Sequence, residues 1–220
     1  MNRSMAFGRW SAVAAVCLLG VALAQRPVVL SGNMTNPTEK SGTVVAWAGY
    51  FDMSPTGVIA FGEVTAAGDF AFELPRAVHG DVLHPVEAKN ICQSGGQGLT
   101  VQPAGTTHVL VNTLMAFDLT ATPVTAVLAS SPEFLTRLAA DRRDLLPGDA
   151  LGYYLYVERG LTLQGSCVSP DGVNVEYDVR AGAGWGRLAY TFDVVDGGVV
   201  GKIATVREFP PQVGWVSSVR

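Results

Sequence analysis

A chain of 220 residues, 48% hydrophobic and 15% charged, carries enough apolar material for a buried core and enough length for one large or two small domains. Its formal charge of −4 comes with no basic cluster beyond Arg142-Arg143. That excludes a nucleic-acid binder, because phosphate recognition needs a concentrated positive face.

The N-terminal 24 residues read as a secretory leader. Arg3 and Arg9 precede an apolar run over residues 11–24 that ends Ala22-Leu23-Ala24. A basic start, an apolar middle shorter than the roughly 20 residues of a spanning helix, and small residues before the cut mark a signal peptide. Cleavage is expected between Ala24 and Gln25, the alternative being an uncleaved anchor. Cys17 follows Val16 inside the apolar run, which does not suit a lipoprotein site. Removing the leader takes two basic residues and no acidic one, so the formal charge moves from −4 to −6. No other segment is apolar and long enough to span a membrane, and the expected location is secreted, periplasmic or cell envelope.

Residues 25–33 hold a short strand candidate around Val28-Val29-Leu30, and residues 33–42 read as a polar loop with a glycosylation sequon at Asn33-Met34-Thr35. Over residues 42–75 the pattern is strand, turn, strand, turn, strand. Val44, Ala46, Ala48 and Tyr50 stand opposite Val45, Trp47 and Phe51, an apolar run on both phases that predicts a strand buried on both sides. Residues 54–57 and 66–69 are the turns, and Phe70, Phe72 and Leu74 line one face of the third strand.

Residues 76–98 bring His79, Asp81, His84 and Glu87 close together in sequence, where two imidazoles and a carboxylate can present to a metal from a suitable loop. The His79 to His84 spacing is not the helical one of metalloprotease motifs, and Gly80 and Pro85 oppose a helix, so ordinary loop histidines are the expected reading. Residues 93–98 hold three glycines but no following Lys-Ser or Lys-Thr, which rules out a phosphate loop. No cofactor is expected.

Residues 108–119 are apolar on both phases and predict a central strand, whereas residues 120–129 fit neither period cleanly. Ser130-Ser131-Pro132-Glu133 then supplies a hydroxyl cap, a first-turn proline and an acid at the positive end of a helix, with Phe134, Leu135, Leu138 and Ala139 at helical spacing. Arg137, Asp141 and Arg143 are expected to face water. Pro147-Gly148 sets the latest end at Leu146.

Tyr153, Tyr154 and Tyr156 mark the next strand. Leu161, Leu163, Gly165 and Cys167 share one phase, Ser169-Pro170-Asp171-Gly172 makes a tight turn, and Val173, Val175, Tyr177 and Val179 alternate with polar residues, which together predict a hairpin with Cys167 inward. Leu188, Tyr190, Phe192 and Val194 continue the alternation to a hairpin turn at Asp196-Gly197-Gly198. Trp215 either folds back or belongs to a frayed tail. The fold class is mostly β: two antiparallel β-rich sandwich or meander lobes with one short connecting helix. The expected segments are a leader over 1–24, an N-terminal sandwich-like domain over 25–120, a linker with the helix over 121–149 and a C-terminal antiparallel β domain over 150–220.

Two cysteines follow the leader, Cys92 and Cys167, 75 positions apart. In an oxidising compartment an even number favours a disulfide. Two buried thiols are the alternative, and a catalytic thiol is disfavoured because neither cysteine has a charged neighbour to stabilise a thiolate.

The run Val64-Thr65-Ala66-Ala67-Gly68-Asp69-Phe70-Ala71-Phe72-Glu73-Leu74-Pro75 resembles the hairpin of secreted carboxypeptidase-regulatory or transthyretin-like β-sandwich modules, in which a Gly-Asp turn leads into alternating aromatics and a Leu-Pro end. The second half, with Tyr156 to Arg159, Gly165-Ser166-Cys167 and the strand to Trp185, is similar to repeats in secreted bacterial proteins without assigned activity. The resemblance implies a sandwich and no catalytic residues.

Function follows by class. There is no Gly-x-Ser-x-Gly, and Ser166 lies inside a predicted strand, so a serine hydrolase is disfavoured and no enzyme activity is expected. Trp47, Tyr50, Tyr153, Tyr154, Tyr156 and Trp185 are the candidates for a sugar- or polymer-stacking platform, against the reading that they fill a core. Tyr153 and Tyr154, adjacent in a strand, face opposite ways, so at most one is expected inside. The favoured function is a structural or interaction protein with an extracellular or envelope partner, the alternative a carbohydrate- or polymer-binding module.

Overall fold

The computed structural model describes residues 27–34, 40–51, 55–93, 97–117, 123–141, 144–170 and 172–218. The expected leader and its cleavage point, Thr35 of the sequon, the glycines of residues 94–96, Arg142, Arg143 and Asp171 lie outside them.

The chain is mostly β. In order come β1 (Val29–Asn33), β2 (Gly42–Gly49), β3 (Pro55–Val64), β4 (Asp69–Glu73), a 3₁₀ turn (Gly80–Val82), the two-residue β5 (His84–Pro85) and the single-turn α1 (Ala88–Ile91). Then follow β6 (Leu99–Gln102), β7 (Thr107–Phe117), β8 (Val124–Ala129), α2 (Pro132–Ala140), β9 (Ala150–Val157), β10 (Leu161–Val168), β11 (Asn174–Ala181), β12 (Gly184–Val195), β13 (Gly198–Val206) and β14 (Gly214–Ser218). Pairing runs β1-β4-β3-β2-β7-β8-β9-β12-β13-β11-β10-β6, with β14 on β8 and β5 on β7. β7 also pairs directly with β9, so strands from both halves of the chain belong to one continuous sheet. Every pair is antiparallel except β11 with β13.

The predicted meander forms as β2, β3 and β4, and Trp215 folds back in β14 against Leu128. The β10–β11 hairpin has Cys167 opposite Val175 and Leu163 opposite Val179, and Gly172 N–H donates to the Ser169 carbonyl across the turn. Gly165 sits at φ +121, and a Cβ there would meet the Gly98 carbonyl at 1.9 Å, so only glycine lets the chain before β6 lie this close to β10. The β12–β13 turn has Asp196 and Gly197 both at positive φ, as a two-residue hairpin with right-handed strand twist requires.

Two cores lie on opposite faces of the sheet. One gathers Leu110, Phe134, Leu151, Tyr153, Leu155, both cysteines and the inward residues of β10, β11 and β12. The other gathers Leu30, Val44, Ala46, Ala60, Phe70, Phe72, Leu114, Leu128 and Tyr154, where strands β1 to β8 curl so that Trp215 of β14 packs on Phe70 and over Gly32 of β1. β9 runs between the cores and all eight of its residues are buried. This corrects the expectation that one of Tyr153 and Tyr154 faces water: each fills a different core because neighbouring elements cover both sides.

Helix α2 begins as predicted, with the Ser131 hydroxyl accepting from Phe134 N–H at 3.0 Å and proline in the first turn. It ends at Ala140, because Asp141 adopts extended backbone, and it lays Phe134 into the core. Arg137 departs from the expected wet position. Its guanidinium pairs at 2.6 Å with Asp149, whose carboxylate is nearly buried and also accepts from Leu146 N–H at 2.8 Å. The ion pair ties the helix to the entry of β9.

Candidate functional site

The surface that the fold leaves open is the outer face of β3, β2 and β7. Along β2, Val44, Ala46 and Ala48 enter the cores, so Thr43, Val45 and Trp47 point the other way. Pairing carries that outward phase across the sheet. Phe61 stands opposite Val45 and Met115, Val58 opposite Trp47 and Thr113, and Glu63 opposite Thr43 and Phe117. Thr113 keeps the phase of Met115 and Phe117, whereas Val58 reaches the outer face through a register shift between Ala46 and Trp47 that leaves Ile59 as the extra residue. A second shift, between Trp47 and Ala48 on the β7 side, leaves Asn112 extra and returns Val111 to the side of Ala48.

Phe61 is 75% exposed, Val58 46% and Phe117 38%, with Trp47 and Met115 half-buried among them. Burial normally claims side chains of this size, and an exposed cluster of aromatic and aliphatic groups on one face is what contact surfaces look like. Helix α2 covers the far end of the same face, where Leu135 and Leu138 pack with Val127 and Val216. The cover does not reach β2 and β3. The expectation that β2 is buried on both sides holds on its outer face at Val45, 9% exposed, is half met at Trp47 and fails at Thr43.

Carboxylates border this surface on its β3–β4 side. The Val64 to Phe70 register brings Gly62 beside Phe72, where a Cβ on Gly62 would lie 2.6 Å from the Phe72 Cβ, and so puts Glu73 next to Phe61. Val29, 46% exposed, pairs with Glu73 from the other side. Glu63 and Glu73 are both exposed and neither joins an ion pair among the described residues. The outward positions of β1, β4, β3, β2, β7 and β8 include no Lys or Arg. The sequence offered one sign of this surface: the apolar residues of β3, Val58, Ile59, Phe61 and Val64, keep no single phase.

Of the residues singled out as metal candidates, His84 and Glu87 line one small void and His79 does not. His79 precedes the 3₁₀ turn, His84 lies in β5 with its ring against Tyr50 at 4.8 Å, and Glu87 pairs with Lys89 and accepts from Asn90. Among the described residues no group of three His, Cys, Asp or Glu side chains can hold a metal ion. The third histidine, His108, is 2% exposed and has both ring nitrogens engaged. Its Nδ1 lies 2.8 Å from the His84 carbonyl, and its Nε2 accepts from Phe51 N–H at 3.2 Å. Since one partner is an acceptor and the other a donor, the ring is neutral with its proton on Nδ1. It is a pin between the end of β2, β5 and β7. The void beside it, lined by Tyr50, Phe51, His84 and Glu87, is about 10 Å³, room for one water.

Cys92 and Cys167 form the expected disulfide, with Cα atoms 5.8 Å apart. Of the six aromatic candidates, Tyr153, Tyr154 and Tyr156 are core residues, and Trp185 donates to the Pro75 carbonyl at 2.7 Å while packing edge-on against Tyr156. Tyr50 lies against His84 and His108. Trp47 alone belongs to the open face, joined there by Phe61 and Phe117, which sequence reasoning missed. Compared with known proteins, the chain matches no family model, no curated protein and no solved structure.

Proposed function

We propose that this chain is an exported interaction protein of the cell envelope or exterior that works by surface contact through the outer face of β3, β2 and β7, and that it performs no catalysis. The observation that carries the reading is Phe61, 75% exposed on β3 in a sheet face whose residues Val45, Met115, Val58 and Trp47 are also apolar. Leaving a phenylalanine of this exposure in water forgoes roughly 1.5–3 kcal/mol of burial, which a partner recovers on docking. The buried disulfide supports export, since such bridges persist in oxidising compartments. The basic, apolar start of the sequence and the likeness of residues 64–75 to secreted sandwich modules favour the same location.

Export is tested on protein recovered from the producing cells. Its first residue should be Gln25, and alkylation should label two cysteines only after reduction. A retained Met1, or two thiols that react without reductant, refutes it. Contact through the face is tested by sedimentation with washed envelopes of those cells: the wild type co-sediments and the Phe61→Ser/Phe117→Ser double variant stays in solution. A folded double variant that sediments like the wild type refutes this use of the face.

A further inference from the structure

From the charge around the open face, we infer that its partner is a cationic, apolar polypeptide segment, one that presents aliphatic or aromatic side chains flanked by Lys or Arg. The inference rests on the contact reading above and adds the chemistry of the occupant.

Three features of the face select it. The face has no polar anchor: Phe61, Val58 and the half-buried Met115 offer area and no hydrogen bond over the buried Val45, while Thr43 and Thr113 sit at its margins. Phe61 and Phe117 lack the polar tip that lets tyrosine or tryptophan both stack on and hydrogen-bond a sugar, which leaves Trp47 as the one ring of that kind on the face. A neutral glycan would thus lose water from its hydroxyls without replacement partners.

The border is acidic on one side, and among the described residues neither of its carboxylates joins an ion pair. Glu73 lies between Val29 and Phe61, and Glu63 lies two residues beyond Phe61 on the same strand, both exposed. Lys40 and Arg76, the nearest basic residues in sequence, fall outside the strands of this face. An anionic polymer or an anionic lipid surface would be repelled at the point where the apolar contact is best. A segment with Lys or Arg beside its apolar side chains satisfies both demands, since it covers Phe61 and brings a cation to each carboxylate. The rival concavity, an open depression of about 770 Å³ near Gln102, Pro103 and Thr162, has one charged side chain, Arg180, and that is already paired with Asp178 at 3.4 Å.

The test is calorimetric titration of the oxidised protein lacking residues 1–24 with designed probes. These are a Leu/Lys amphipathic peptide, its Leu/Glu counterpart, a soluble neutral β-glucan oligosaccharide and vesicles of mixed neutral and anionic phospholipid. The Leu/Lys peptide is expected to bind and the others not. Glu63→Gln/Glu73→Gln should weaken that binding on the order of fivefold at low salt, a difference that shrinks as salt is raised. Phe61→Ser should abolish it. Each variant is checked for its disulfide and its circular dichroism, and since all three side chains are exposed, folding is expected to be intact.

Equal binding of the Leu/Glu peptide, or no effect of the carboxamide pair, overturns the charge argument. Glucan or vesicle binding that Phe61→Ser removes overturns the partner class but keeps the contact face. A concentration-dependent dimer that Phe61→Ser dissolves, seen by analytical ultracentrifugation, names a second copy as occupant and likewise overturns the inference. Leu/Lys binding that Phe61→Ser leaves intact refutes the face itself.

Discussion

Replacing both Cys92 and Cys167 by alanine should remove a large share of the stability of this protein. The cysteines are 75 positions apart, and closing a loop of that length in the denatured chain is worth about 4.5 kcal/mol in the chain-entropy account. Both sulfurs also pack in the core with Val173 and Val175, so their loss adds on the order of 1 kcal/mol of missing contact. The folded state should keep its local shape without the bridge, because Gln93 N–H donates to the Val168 carbonyl at 2.9 Å and its side-chain amide to the Pro170 carbonyl at 2.9 Å. The effect therefore falls mainly on the unfolded chain. A total loss of about 4–6 kcal/mol stands against the 5–15 kcal/mol that whole domains possess. Urea unfolding of wild type and the Cys92→Ala/Cys167→Ala variant measures it. The midpoint should fall, and the denaturant slope should rise because an uncrosslinked chain exposes more surface. A difference below about 1 kcal/mol with an unchanged slope would refute the reasoning.

At the start of α2, Ser131→Ala removes the acceptor for Phe134 N–H and should cost about 1 kcal/mol in thermal or urea unfolding. The Glu133 carboxyl is held below the ordinary carboxylate range, first by a hydrogen bond from its own backbone N–H, then by the Ser131 hydroxyl. A depressed folded value means the stabilisation is complete above the unfolded carboxylate range and is lost as pH falls through the folded value. Glu133→Gln should thus lower the melting temperature at neutral pH, with the gap to wild type closing in acid; a gap that does not change with pH contradicts this. His108→Leu leaves Phe51 N–H and the His84 carbonyl without their partner in a buried site and should cost about 2–4 kcal/mol, while His108→Gln, which can still donate and accept, should cost less. Equal losses for the two variants would show that packing alone matters there. Arg137→Met strands the Asp149 carboxylate, and a loss of about 2 kcal/mol is expected by urea titration, discounted for the partial exposure of the guanidinium.

The hairpin of β10 and β11 was legible because, Gly165 apart, one phase enters a core and the other faces away from it, so period 2 is visible in the residues themselves. The helix start at Ser131 was legible because capping is local chemistry. Arg137 was not, since its partner Asp149 lies on the following strand and no local pattern announces an ion pair across a loop. The cysteine pair followed from counting. The open face could not be read, because it depends on which outward residues of three strands coincide, and that is set by the pairing registers and, for Val58, by the shift at Ile59.

β2 and β9 show the limit most clearly, since both are apolar on both phases, yet β9 is buried throughout and β2 is buried on its outer phase only at Val45. The difference lies in what is available to cover them. Helix α2 has nine residues, so it is about 13 Å long and about 10 Å wide, and adjacent strands are about 4.8 Å apart. A helix of that width shields two strands, and it contacts β8 and β14. Among the described residues the only other α-helix is the single turn of α1, whose one buried residue, Ile91, packs in the same core as Phe134. Val58, Phe61 and Phe117 are exposed, and Trp47 only half-buried, for want of a second long helix on their side of the sheet. A bound segment at this face would supply, from another chain, the layer that α2 is too narrow to provide.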